Sequence, residues 1–127
     1  MGPANLFRPR ILIVDDNSDD LRSLGAILER RGYEVRTCAS YPEGAALVGA
    51  RPFEFVVVSQ GGPNFEGQAV IKQTVNRHTP VLVVTRCIEM ACYLEAMQMG
   101  ALDYLEKPVP IDFLLREIET HLQQFVA

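Results

Sequence analysis

Ile11-Leu12-Ile13-Val14-Asp15-Asp16 decides how this chain is read. An unbroken apolar run stops abruptly at two acids. Continuous rather than alternating apolarity marks a strand covered on both faces, as in a parallel sheet. Phe55-Val56-Val57-Val58 and Val81-Leu82-Val83-Val84 have the same character. Between these runs the apolar period changes to that of a helix. Leu21, Leu24 and Leu28 share one face with Ile27 beside them, Asp19 or Asp20 stands where a cap is needed, and Gly32 suits the end of that helix.

Working outward, residues 33–37 read as a second strand and 42–48 as a short helix, with Pro42 in its first turn. Residues 53–58 form a third strand, 60–64 a loop by composition, and 66–76 a weaker helix. A fourth strand covers 80–85, a helix 89–99 closed by Gly100, and a short fifth strand 102–105. Ile111, Leu114, Leu115, Ile118, Leu122 and Phe125 trace one face of a final helix. Such alternation, with short connections, predicts an α/β domain: a parallel sheet between two layers of helices, joined by right-handed crossovers.

Composition bounds the function. A chain of 127 residues, 48% hydrophobic and 22% charged, suits one domain and is too apolar for a disordered segment. That domain is expected over 10–127, with 1–9 a flexible N-terminal segment. No apolar run approaches the ~18–20 residues of a membrane span, and none of signal-peptide length opens the chain. Cys38, Cys87 and Cys92 lack metal-ligand spacing and read as reduced thiols of a cytoplasmic protein. Met90, Met97 and Met99, at or near the fourth helix, read as core filler, with an adaptable contact surface as the alternative. With a net charge of −4 and scattered basic residues, direct nucleic-acid binding is not expected.

In sheets of this kind ligands gather beyond the carboxyl ends of the strands. The residues standing there are Asp15-Asp16, Ser59, Thr85-Arg86 and Lys107-Pro108. With Pro63 and Gly67 in the loop after the third strand, and Tyr104 three residues before Lys107, they resemble the response-regulator receiver domains of two-component signalling. The resemblance runs from about Arg10 to Ala127. It implies a flavodoxin-like (βα)5 fold, a doubly wound parallel five-stranded sheet in the order 2-1-3-4-5. It also implies a cis bond between Lys107 and Pro108, and an acid cleft where phosphohistidine on a kinase gives up its phosphoryl group to an aspartate.

In receivers that aspartate lies four residues before the proline and eight before the glycine. Counting back from Pro63 and from Gly67 lands on Ser59 both times. A serine hydroxyl carries no charge near neutral pH and needs a nearby base to become nucleophilic. The resemblance therefore implies an atypical member without its phosphoacceptor, in which the divalent-ion site of Asp15, Asp16 and Gly61 is vestigial and Mg²⁺ binds weakly or not at all. Arg86 departs from the family too, since a small residue usually follows the threonine. Two poses stay open for it: reaching the Asp15-Asp16 pair and, with Lys107, standing in for the metal, or pointing to solvent as most arginines do. Thr85 and Tyr104 would be the switch residues that couple cleft to surface.

The leading expectation is a phosphorylation-independent protein–protein interaction module of a phosphorelay, not an enzyme. Its partner would be a histidine kinase, an effector or output domain, or a second copy bound through the fourth helix, fifth strand and fifth helix. Two other switch modules stay open: one that senses a small molecule in the cleft, and one phosphorylated at Ser59 by a Ser/Thr kinase. A remoter alternative makes Ser59 the nucleophile of a hydrolase, because Val57-Val58-Ser59-Gln60-Gly61 has part of a nucleophile elbow.

Overall fold

The structure, a computed structural model, describes residues 8–86 and 88–122. In chain order the elements are β1 (Arg10–Val14), α1 (Ser18–Arg30), β2 (Glu34–Cys38), α2 (Tyr41–Ala50), β3 (Phe55–Ser59), α3 (Gln68–Asn76), β4 (Val81–Thr85), α4 (Met90–Met99), β5 (Asp103–Glu106) and α5 (Ile111–Leu122). All neighbouring strands are parallel, in the order β2-β1-β3-β4-β5, so the expected doubly wound sheet is what forms.

The apolar runs explain this arrangement. Every residue of β3 and β4 is buried, because alternate side chains enter two separate cores. Leu12, Val14, Val56, Val58, Val81 and Val83 face α2, α3 and α4. Ile11, Ile13, Phe55, Val57, Leu82 and Val84 face α1 and α5. The edge strands β2 and β5 are only partly covered, hence their mixed composition. Val14 pairs with Val58, Ser59 with Val84 and Thr85 with Glu106, so the strands end together.

Several boundaries differ from the sequence reading for local reasons. Asn17, not Asp19 or Asp20, caps α1: its side chain accepts from the Asp20 amide at 2.9 Å. That frees the Asp20 carboxylate for the cleft. Gly32 does take the left-handed conformation, φ 94°. Helix α3 starts at Gln68 rather than two residues earlier, because 62–67 make turns that press Gly67 onto the end of β3. Met97 and Met99 pack on the core, whereas Met90 is exposed. Cys38 and Cys92 are buried free thiols. Cys87 and Phe125 lie outside the described residues, as do 1–7 of the N-terminal segment; in its remainder, the Pro9 carbonyl accepts from Glu34 N at 3.0 Å.

Candidate functional site

The common ending of β1, β3, β4 and β5 gathers Asp15, Ser59, Thr85 and Lys107 around one cleft of ≈ 590 Å³. Its two cations are held by carboxylates. Lys107 Nζ lies 2.5 Å from Asp15 Oδ2 and 2.8 Å from Asp20 Oδ2, with both Asp15 and the lysine side chain largely withdrawn from water. The Asp15 Oδ1 oxygen accepts from Asn17 N at 3.0 Å. Lys107 enters the cleft across a cis peptide bond to Pro108.

Of the two poses open to it, Arg86 takes the largely solvent-facing one and does not reach the Asp15-Asp16 pair. It binds Asp20 Oδ2 at 2.6 Å, and its side chain is 61% exposed. With Asn17 as the cap, the Asp20 carboxylate in the first turn of α1 meets both cations. Asp16 is exposed at the cleft mouth. Asp20 was a site residue the sequence concealed by looking like a cap. The Lys107 hydrogen bond, seconded by the Arg86 charge, holds its carboxyl below the ordinary 3.8. Among the described residues no three of His, Cys, Asp and Glu are grouped to hold a metal ion.

Ser59 is 5% exposed, and its hydroxyl is hydrogen-bonded to the hydroxyl of Tyr41, itself buried. Tyr41 is the first residue of α2, which the cap Ser40 and Pro42 start at this point. An aromatic ring just beyond the second strand was the only sequence signal for it. Burial, with the Asp16 and Asp15 charges adding to it and the Ser59 hydrogen bond opposing, pushes the Tyr41 phenol from 10 to about 12. A group held above its unfolded value supports folding fully below that value and loses this support as pH rises through the folded one. The domain should therefore lose about 3 kcal/mol between ~pH 10 and ~pH 12, at 1.36 kcal/mol per pKa unit. In Tyr41→Phe this alkaline loss should disappear, as urea unfolding at a series of pH values will read.

Neither histidine stands at the cleft: His78 lies in the turn before β4 and His121 in the last turn of α5, against the Glu117 carbonyl. Thr85 is buried at the end of β4, and its carbonyl accepts from Lys107 N.

The Gln60 side chain, unremarked in the sequence, crosses to Tyr104 on β5. Its Oε1 accepts from the Tyr104 hydroxyl, and its Nε2 donates to the Gly62 carbonyl at 2.9 Å and to Glu89 Oε1 at 3.3 Å. Gly61 lines the cleft at φ 82°, where a Cβ would come within 2.8 Å of the Tyr41 ring.

Known proteins are similar to this chain in sequence and in fold. Residues 11–119 match the family described as "Response regulator receiver domain". The acid tolerance regulatory protein ActR of Rhizobium meliloti (strain 1021) is 36% identical over 116 residues, 88% of this chain and 60% of that protein. The chain thus spans less than two thirds of that relative's length. A CheY-like receiver domain from Methanospirillum hungatei JF-1 superposes with TM-score 0.86 at 31% identity, covering 93% of this chain and 96% of that one. A response regulator from Burkholderia pseudomallei, solved with a phosphorylated aspartic acid, calcium ion and citrate, gives TM-score 0.79 at 31% identity over 92% of this chain and 70% of its own. The chain, with acids, a threonine and a lysine at its strand ends, is thus matched in overall sequence and in fold, and it belongs to the response regulator receiver domain family of two-component signalling.

Proposed function

We propose that this domain is a receiver without an acyl-phosphate switch, acting in the cytoplasm as a protein–protein interaction and regulatory module of a phosphorelay. Ser59 would occupy the place of the phosphoacceptor aspartate. The observation that carries this reading is the hydroxyl of Ser59, buried at the end of β3 and bonded to another neutral hydroxyl, that of Tyr41. With no general base bonded to it among the described residues, Ser59 is a poor nucleophile toward a phosphoryl donor or an ester, which speaks against both phosphotransfer and a hydrolase. Its burial also speaks against a Ser/Thr kinase.

The donor set does not fit a divalent ion. Asp15 and Asp20 already hold an ammonium, and Ser59 offers a neutral oxygen where hard cations prefer carboxylates. Lys107 and Arg86 offset Asp15 and Asp20, while Asp16 stands exposed at the mouth and Glu89 accepts from Gln60, so among the described residues no three carboxylates converge on a cation. Receiver domains work with histidine kinases and output domains. The surface offered here for such a partner, or for a second copy, is that of α4, β5 and α5, around which Ile88, Met90, Leu94 and Phe113 are exposed.

Incubation of the protein with acetyl phosphate and Mg²⁺, followed by intact-mass spectrometry, tests the proposal. A phosphorylatable receiver is treated alongside as control. No covalent phosphate is expected on this chain; a phosphoryl adduct on any of its carboxylates overturns the reading. Isothermal titration with Mg²⁺ should give no micromolar binding at neutral pH.

A further inference from the structure

A buried amide connects three parts of the fold that the sequence does not link. Gln60 follows the last residue of β3 and is 3% exposed. Both protons of its Nε2 are used, one on the Gly62 carbonyl of its own loop and one on Glu89, the residue that precedes α4. Its Oε1 takes the hydroxyl of Tyr104, which is 3% exposed and edge-on to Tyr93 of α4, ring centres 5.8 Å apart. A single side chain thus spans from β3 over β4 to β5 and touches the start of α4.

We propose that Gln60 is a latch: it holds Tyr104 inward and ties it to the start of α4, so fixing the shape of the α4–β5–α5 face with no phosphoryl group. The inference deepens the proposed function and rests on it for the claim that the face needs no phosphorylation. The chemistry at position 60 is restrictive. Leucine or methionine would fill the space but offer the buried Tyr104 hydroxyl and Gly62 carbonyl no partner. Glutamate could accept from Tyr104 but could not donate to Gly62, and would set a second carboxylate against Glu89. Asparagine is one methylene shorter than the reach to Tyr104 requires. A tyrosine at a sheet edge has staggered alternatives at χ1, one inward and one toward water, so a partner for the inward pose decides between them.

The test labels the full chain with 3-fluorotyrosine and reads ¹⁹F NMR, Tyr104→Phe identifying the Tyr104 signal among the four tyrosines. In the parent that signal should be single and show little solvent isotope shift between H₂O and D₂O. In Gln60→Leu the water-exposed population should rise about fivefold, the weight of one lost hydrogen bond, and the isotope shift should grow with it. A Tyr104 signal equally protected in Gln60→Leu overturns the latch. If that variant does not fold, the Gln60 side-chain amide protons decide: slow exchange in the parent that becomes fast in Tyr104→Phe supports the latch, and equal exchange in both overturns it. All of this is read without acetyl phosphate. A protein that takes up phosphate yet frees Tyr104 in Gln60→Leu therefore keeps the latch and loses the functional reading, and the converse result does the opposite.

Discussion

Gly67→Ala should destabilise the domain by about 3 kcal/mol or more, at the top of the range for overpacking. Gly67 has φ −64°, so backbone freedom is not what the glycine supplies. Space is. A Cβ there would lie 2.2 Å from the Ser59 carbonyl oxygen and 3.1 Å from that of Gln60, while Gly67 N donates to Gln60 O at 2.8 Å. The obstacle is main chain at the end of a strand hydrogen-bonded into the sheet, which cannot turn aside as a flexible side chain would. Urea unfolding reads the effect, and a midpoint equal to the parent's would mean that α3 backs away from β3 freely. The spacing from Ser59 to Gly67 is thus a packing requirement between the end of β3 and the start of α3, whatever residue stands at 59.

Lys107→Met should be comparably damaging at neutral pH, by about 3–5 kcal/mol, the usual consequence of stranding a buried charge. Asp15 is 4% exposed and keeps only the Asn17 amide among its recorded side-chain partners once the ammonium is gone. The acid side of the stability profile should change as well. Asp20 is held below its ordinary 3.8 chiefly by Lys107, so it supports folding above that pH and loses the support as pH falls through the lowered value. In Lys107→Met most of that acid slope should vanish. Chemical unfolding of both proteins from neutral pH down to ~3 checks the two effects together; a variant as stable as the parent at neutral pH would show that water reaches Asp15 readily.

The sequence displays this fold where burial is complete and hides the site where direction matters. Ile11–Val14, Phe55–Val58 and Val81–Val84 could be read as strands because both faces are covered, and the sheet order followed from the resemblance. Edge strands β2 and β5 shifted by a residue, since half-covered strands carry a mixed pattern. The residues at strand ends were legible as a set because parallel topology alone brings them together. What remained hidden depends on where side chains point. Arg86 is long and turned to Asp20 rather than Asp15; Asp20 looked like a cap until Asn17 took that role. Tyr41 became part of the site only through the docking of α2, and Gln60 lay in a stretch whose composition said no more than loop.

The contact of Tyr41 with Ser59 bears on how such a domain can change over generations. The two hydroxyls meet, and the Tyr41 ring is backed by Gly61 so closely that a single added carbon there would collide with it. Positions 41, 59 and 61 therefore form one interlocked unit. An aspartate placed at 59 would be bulkier than the alcohol and would meet the Tyr41 ring. An acid at 59 would therefore ask for coordinated replacements in two distant parts of the chain, at 41 and around 61.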